Sequence, residues 1–165
     1  MTRDIHKELS LFSEYLKKAG LKITNQRLLV AETIFRHPSH FTVDSLADSL
    51  KERKGEISRA TIYRIVSILV ESGQLTEHNF AHGVRYYEHI PVSEHHDHLV
   101  CLDCGIIDEF MVAEIEKVQT QIAQQHGFVL AEHSLNLYGR CIQWKDKGSC
   151  TRKSEKESAQ KNGKG

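Results

Sequence analysis

The sequence predicts an α+β chain of two small lobes, and three observations carry that reading. Apolar residues recur at helical spacing in four successive segments before Gly73. Strand-like runs then take over, two before residue 90 and more after His95. At 165 residues the chain can form two modest cores, and its 39% apolar fraction does not call for more.

The elements follow in order. Ile5, Leu9, Phe12 and Leu16 make one face of a first helix, which Gly20 stops. Thr24 is placed to cap a second helix carrying Leu28, Leu29, Ala31 and Ile34. That helix must end before Pro38, because the proline ring disfavours helical geometry in the preceding residue. Val43, Leu46, Ala47 and Leu50 mark a third helix over 43–54, before Gly55. Ser58 caps a fourth, with Ile62, Ile65, Val66, Leu69 and Val70 on its apolar face. Residues 74–78 and 84–88 flank a turn near His82 and Gly83, which predicts a hairpin. Helices followed by a hairpin have the order of a winged helix-turn-helix, expected over 1–90 with a linker at its end.

The second lobe, expected over 91–150, opens on the most informative segment of the chain. His95-His96-Asp97-His98-Leu99-Val100-Cys101-Leu102-Asp103-Cys104 sets nitrogen and oxygen donors directly before a Cys-x2-Cys pair, a pattern that packing alone does not require. Thiolates are soft and favour tetrahedral zinc, whereas imidazole and carboxylate accept iron(II), manganese, cobalt or zinc. If the segment is extended, alternate side chains face opposite sides. His96 and His98 then share one face and His95 and Asp97 the other, which favours two separate nitrogen/oxygen sites completed from elsewhere. After the knuckle come a strand over 106–110, a helix with Val112, Ile115, Val118, Ile122 and Ala123 apolar, and a strand over 134–138. Residues 151–165 show no apolar pattern and are expected to be a disordered basic tail.

Charge is divided along the chain. Residues 1–90 carry 13 Lys and Arg against 11 Asp and Glu, residues 91–150 carry 4 against 9, and residues 151–165 carry 5 against 2. The acidic, ligand-rich lobe suits cations, while the first lobe is the one suited to a polyanion. The start of the chain lacks the apolar core of a signal peptide, and no run is long enough for a membrane span, so a cytoplasmic location is expected. Four cysteines in such a setting are expected as reduced metal ligands rather than disulfides.

Four motifs in this order resemble the ferric uptake regulator family of bacterial metal-dependent repressors. They are Ala19-Gly20-Leu21-Lys22-Ile23-Thr24, Ser58-Arg59-Ala60-Thr61-Ile62-Tyr63-Arg64, the segment His95 to Gly105, and His133-Ser134-Leu135-Asn136-Leu137-Tyr138-Gly139-Arg140-Cys141. The resemblance implies a winged helix that reads DNA and a C-terminal lobe that dimerises, so that two recognition helices meet an A·T-rich palindromic operator. It implies a regulatory metal site at His40, Glu88, His96, His98 and Glu109, and a second site at His95, Asp97, Glu116 and His133. Cys101, Cys104 and Cys141 are expected to hold structural zinc. Cys150, eight residues further on where relatives often have a second Cys-x2-Cys, is a fourth ligand, a free thiol or a bystander. DNA contacts are expected from Lys22, Arg59, Thr61, Tyr63 and Arg64.

Relatives that sense peroxide have aspartate at the positions matching Glu88 and Glu109, so the glutamates here favour iron(II) as the regulatory ion, with manganese, cobalt or zinc able to substitute in vitro. Asp108 is an alternative to Glu109 if the strand register slips by one. The segment from Glu88 to Asp97 is one residue longer than in the family pattern. His6, His37, His78, His82 and His89 read as ordinary surface or wing residues, and His126 as a cation at a helix end. No small-molecule substrate or catalysis is expected: a zinc deaminase needs His-x-Glu followed by Pro-Cys-x2-Cys, and no proline directly precedes Cys101. Storage or delivery of metal without a DNA role is the alternative from another class.

Overall fold

The structure, a computed structural model, describes residues 4–37, 40–54, 57–80, 83–89 and 95–153, with the side chains of 52–54 left aside. Pro38, Gly55, His82, the end of the expected linker at residue 90, residues 91–94 of the expected second lobe and the expected tail from 154 onward lie outside the described residues. The chain divides into two compact units, residues 1–93 and 94–165.

The first unit holds α1 (Ile5–Lys18), α2 (Asn25–Phe35), α3 (Val43–Lys54) and α4 (Arg59–Glu71), followed by β1 (Thr76–Asn79) and β2 (Arg85–Glu88). The helices start where short polar side chains meet otherwise unpaired N–H groups. Asp4 accepts from the Lys7 amide at 3.2 Å, Thr24 from Arg27 at 3.3 Å and Ser58 from Thr61 at 3.2 Å. Their apolar faces converge on one core that includes Phe12, Leu16, Ile34, Phe35, Leu46, Leu50, Ile62 and Leu69. Truncating any of these to alanine costs about 2–5 kcal/mol through lost burial and the cavity left behind.

The hairpin is antiparallel with Thr76 opposite Glu88 and His78 opposite Tyr86. A third segment joins it where Phe41 and Tyr87 exchange backbone hydrogen bonds of 2.9 and 2.8 Å. That bridge sets His40, at the start of α3's approach, beside the end of β2. Glu88, expected in the linker, is the last residue of this strand and is buried.

The second unit contains β3 (Asp97–Cys101), β4 (Ile107–Phe110), α5 (Ala113–Gln125), β5 (Asn136–Gly139) and α6 (Ile142–Lys147). Its sheet has the order β4-β3-β5, antiparallel on one side of β3 and parallel on the other. Asp97 pairs with Phe110, His98 with Glu109 and Leu99 with Asp108, so the register does not slip and Glu109 is the carboxylate opposite His98. Gly105 takes φ 72° in the knuckle between these strands, a left-handed geometry that glycine adopts without a Cβ clash.

One expectation needs correction here, and two features go beyond what was expected. Val118 and Ile122, apolar positions of α5, are each 52% exposed. A short helix, α6, fills the stretch between Cys141 and Cys150, where no element was expected. The polar tail does not begin at 151: Thr151 to Lys153 form a helical turn, held by the Thr151 amide and hydroxyl donating to Gln143 at 3.1 and 2.8 Å and by Arg152 on Asp108.

Candidate metal centres and nucleic-acid face

Four of the expected ligands meet in the second unit. Asp97 is the first residue of β3 and His95 lies two residues before it, Glu116 comes from the first turn of α5 and His133 from the segment before β5. The His95 Nε2 lies 3.4 Å from Asp97 Oδ1, and the His133 Nε2 lies 3.3 Å from Glu116 Oε2 and 3.8 Å from Asp97 Oδ1. One donor atom from each of the four fits within 4.8 Å of the others. Both Asp97 oxygens, Glu116 Oε1 and His133 Nε2 are buried without a hydrogen-bond partner among the described residues. Buried polar atoms in native proteins are almost always satisfied. Two carboxylates and one imidazole left in this state, with the His95 ring beside them, fit a divalent cation.

The opposite face of β3 behaves as its alternation requires. His96 and His98 stand with ring centroids 5.0 Å apart, and His98 is paired with Glu109 across the ladder. In the first unit, His40 and Glu88 lie 3.2 Å apart, His40 Nε2 to Glu88 Oε2. The expected regulatory set draws His40 and Glu88 from the first unit and His96, His98 and Glu109 from the second.

The thiols form a third centre. Cys101, Cys104 and Cys141 bring their sulfurs within 4.8 Å of one another. Cys150 is buried and packs in one cluster with Cys104, Cys101 and Cys141, although its sulfur is not among those within 4.8 Å of one another. Asp103 ties the cluster together from outside: its carboxylate accepts from the Cys141 amide and from Arg140, both at 2.8 Å. Burial pushes the Cys104 thiol up to about 12. Burial also acts against the Cys101 and Cys150 thiolates, yet the amides of Cys104 and Asp103 on one and of Lys153 on the other, with neighbouring thiols, lower both overall. A sulfur-only cluster with mixed thiol acidities fits zinc, which displaces the remaining protons on binding.

On α4 the buried positions Ile62, Ile65, Val66 and Leu69 leave Ala60, Tyr63, Arg64 and Ser67 on the solvent side. Tyr63 is 47% exposed, and Arg64 and Lys22 are also exposed. The Thr61 hydroxyl lies 2.9 Å from that of Ser58 at the start of the helix. Arg59 donates from Nε to Asp44 at 2.6 Å, bridging the start of α3 to the start of α4.

Reading the sequence missed two histidines. His78 is not a solvated wing residue; its Nε2 sits 3.2 Å from Glu88 Oε2. The signal that would have found it is diagonal pairing across a hairpin, since Thr76 faces Glu88 and His78 follows two residues later on the same face. His89 is buried with its ring 4.8 Å from that of Phe35 and its Nε2 3.5 Å from Glu8, a contact 81 residues away in sequence that no local pattern announces.

Residues 18–138 match the model of the ferric uptake regulator family. A ferric uptake regulation protein from Yersinia pestis is 42% identical over 146 residues, covering 87% of this chain and 93% of that protein. Among solved structures, the Vibrio cholerae ferric uptake regulator is similar at 40% identity with a TM-score of 0.69, covering 78% of this chain and 98% of its own. The Helicobacter pylori regulator, whose structure is described as revealing three functional metal-binding sites, aligns with a TM-score of 0.80 at 28% identity, covering 89% and 97%. The chain belongs to the ferric uptake regulator family.

Proposed function

We propose that this protein is an iron(II)-responsive repressor of metal-uptake genes that binds an A·T-rich palindromic operator as a homodimer. The observation that carries the reading is the separation of its metal donors by hardness: one thiol cluster suited to permanent zinc, and nitrogen/oxygen donors suited to an exchangeable first-row ion. Cys101, Cys104, Cys141 and Cys150 hold the structural zinc. His95, Asp97, Glu116 and His133 form the second site.

His40, Glu88, His96, His98 and Glu109 ligate the regulatory ion, which supplies the charge that draws donors of the two units onto one centre. By taking ligands from both, it selects the arrangement in which two recognition helices match the half-site spacing on DNA. Linkage then requires that DNA tighten iron binding by the same factor. Tyr63 meets thymine methyl groups, Arg64 a phosphate or guanine, and Lys22 the narrow minor groove of A·T tracts.

The test is operator binding at fixed salt by protein freed of exchangeable metal, with and without anaerobic iron(II), with manganese and zinc as specificity controls. Binding that appears only with iron supports the reading. Tyr63→Ala and Arg64→Ala are expected to lose operator binding and keep their metal. A protein that binds metal yet never binds operator overturns the reading in favour of storage or delivery.

A further inference from the structure

We propose that His78 is a metal ligand and that His40, His78 and Glu88 form a cation site belonging wholly to the winged-helix unit. A divalent first-row ion is thus captured there without donors from the second unit. The proposal deepens the regulatory site described above by adding a residue and an order of events.

The geometry is local. One oxygen of Glu88, Oε2, faces the Nε2 of His40 and of His78, each at 3.2 Å. A donor atom from each of the three residues falls within 4.8 Å of the others. The side chains of His40, Glu88 and His78 are 4%, 9% and 16% exposed. Two imidazoles and one carboxylate with further positions open are the donor set that non-haem iron(II) sites use.

Each donor is placed by the fold rather than by a flexible arm. The Phe41–Tyr87 backbone bridge sets His40 beside Glu88, and the hairpin register sets His78 diagonal to it. Phe80, itself buried, stacks on the His78 ring at 5.2 Å with 5° between planes and lies 5.9 Å from the His40 ring. Donors fixed in this way need little reorganisation to accept an ion. A hydrogen-bonded strut between wing and helix would have the same residues in contact, so the experiment has to read the ion itself.

The experiment uses the full chain with zinc retained in the thiol cluster. His95→Ala, Asp97→Ala and His133→Ala together remove the second site, and His96→Ala, His98→Ala and Glu109→Ala together remove the second unit's donors to the regulatory site. Anaerobic cobalt(II) titration then follows the visible d–d absorption, with sulfur-to-cobalt charge transfer reporting any displacement of zinc. We expect this variant to bind one cobalt per chain. Adding His78→Gln, which preserves a hydrogen bond to Glu88, should weaken that binding by at least about tenfold and alter the bands, as loss of a metal-site partner does. Unchanged affinity and spectrum on His78→Gln would overturn the proposal. So would a folded variant, judged by circular dichroism, that takes up no cobalt before His78 is changed. No DNA enters the assay, so failure of the repressor reading leaves its outcome readable.

Discussion

Asp44 changes how the DNA-facing surface must be counted. Arg59 opens the recognition helix in a position to meet phosphate, yet its guanidinium is already engaged by the Asp44 carboxylate, and both groups are well exposed. An exposed ion pair contributes about 0–1 kcal/mol to stability, so its consequence lies in binding. The aspartate cancels a positive charge where a polyanion would approach. Asp44→Asn should therefore raise affinity for operator and for unrelated DNA alike, and steepen the slope of log affinity against log salt by about one unit. Titrations at several salt concentrations would measure both; an unchanged slope would mean that Arg59 never reaches phosphate. The pair joins residues 15 apart on different helices, and nothing in the local sequence announces it.

Strands and turns show where the sequence was informative. The alternation along β3 was legible because a strand has a period of two, and the grouping of His95 with Asp97 and of His96 with His98 follows from that alone. The helix caps at Thr24 and Ser58 were legible for a similar reason, since a short polar side chain before an apolar run has few other uses. His78 was not, because its role depends on a hairpin register that a turn centred on residues 82–83 leaves open. The α6 segment was not, because its apolar residues Ile142 and Trp144 are substantially exposed and leave no buried stripe to detect.

The connection between knuckle and α6 carries its own prediction. Asp103 holds the Cys141 amide and Arg140 together, linking the two ends of the thiol cluster. Asp103→Ala should lower zinc affinity by about 10–100-fold while leaving the first unit's fold intact, as removal of groups that orient ligands does. Competition with a chromophoric chelator would measure it, and wild-type affinity in the variant would show that Cys141 needs no such anchor.

At the scale of the molecule the two units rest on different foundations. The first has a broad apolar core that includes Phe12, Phe35, Phe41 and Leu46, whereas the buried apolar residues described in the second are Val100, Cys104, Ile106 and Cys150. Two of those four are thiols of the proposed zinc site. Chelating zinc under reducing conditions should therefore unfold the second unit and spare the first, visible as loss of one set of amide resonances with the other retained. Coincident loss of both sets would refute this division. Zinc affinity should also rise with pH: burial holds the Cys104 proton up to about 12, so at neutral pH zinc must expel it. Each proton expelled makes affinity rise about tenfold per pH unit, and zinc competition at two pH values would show it.

Because β3 sends its odd-numbered donors to one centre and its even-numbered donors to another, and then runs directly into the thiol knuckle, its length matters more than most of its letters. Leu99 faces outward and can be exchanged, but inserting or deleting one residue between His95 and Cys101 would deliver every donor to the wrong address. Such a strand tolerates misspelling and does not tolerate a frame change, so variation in this protein should accumulate as substitutions within β3 and as altered lengths only outside it.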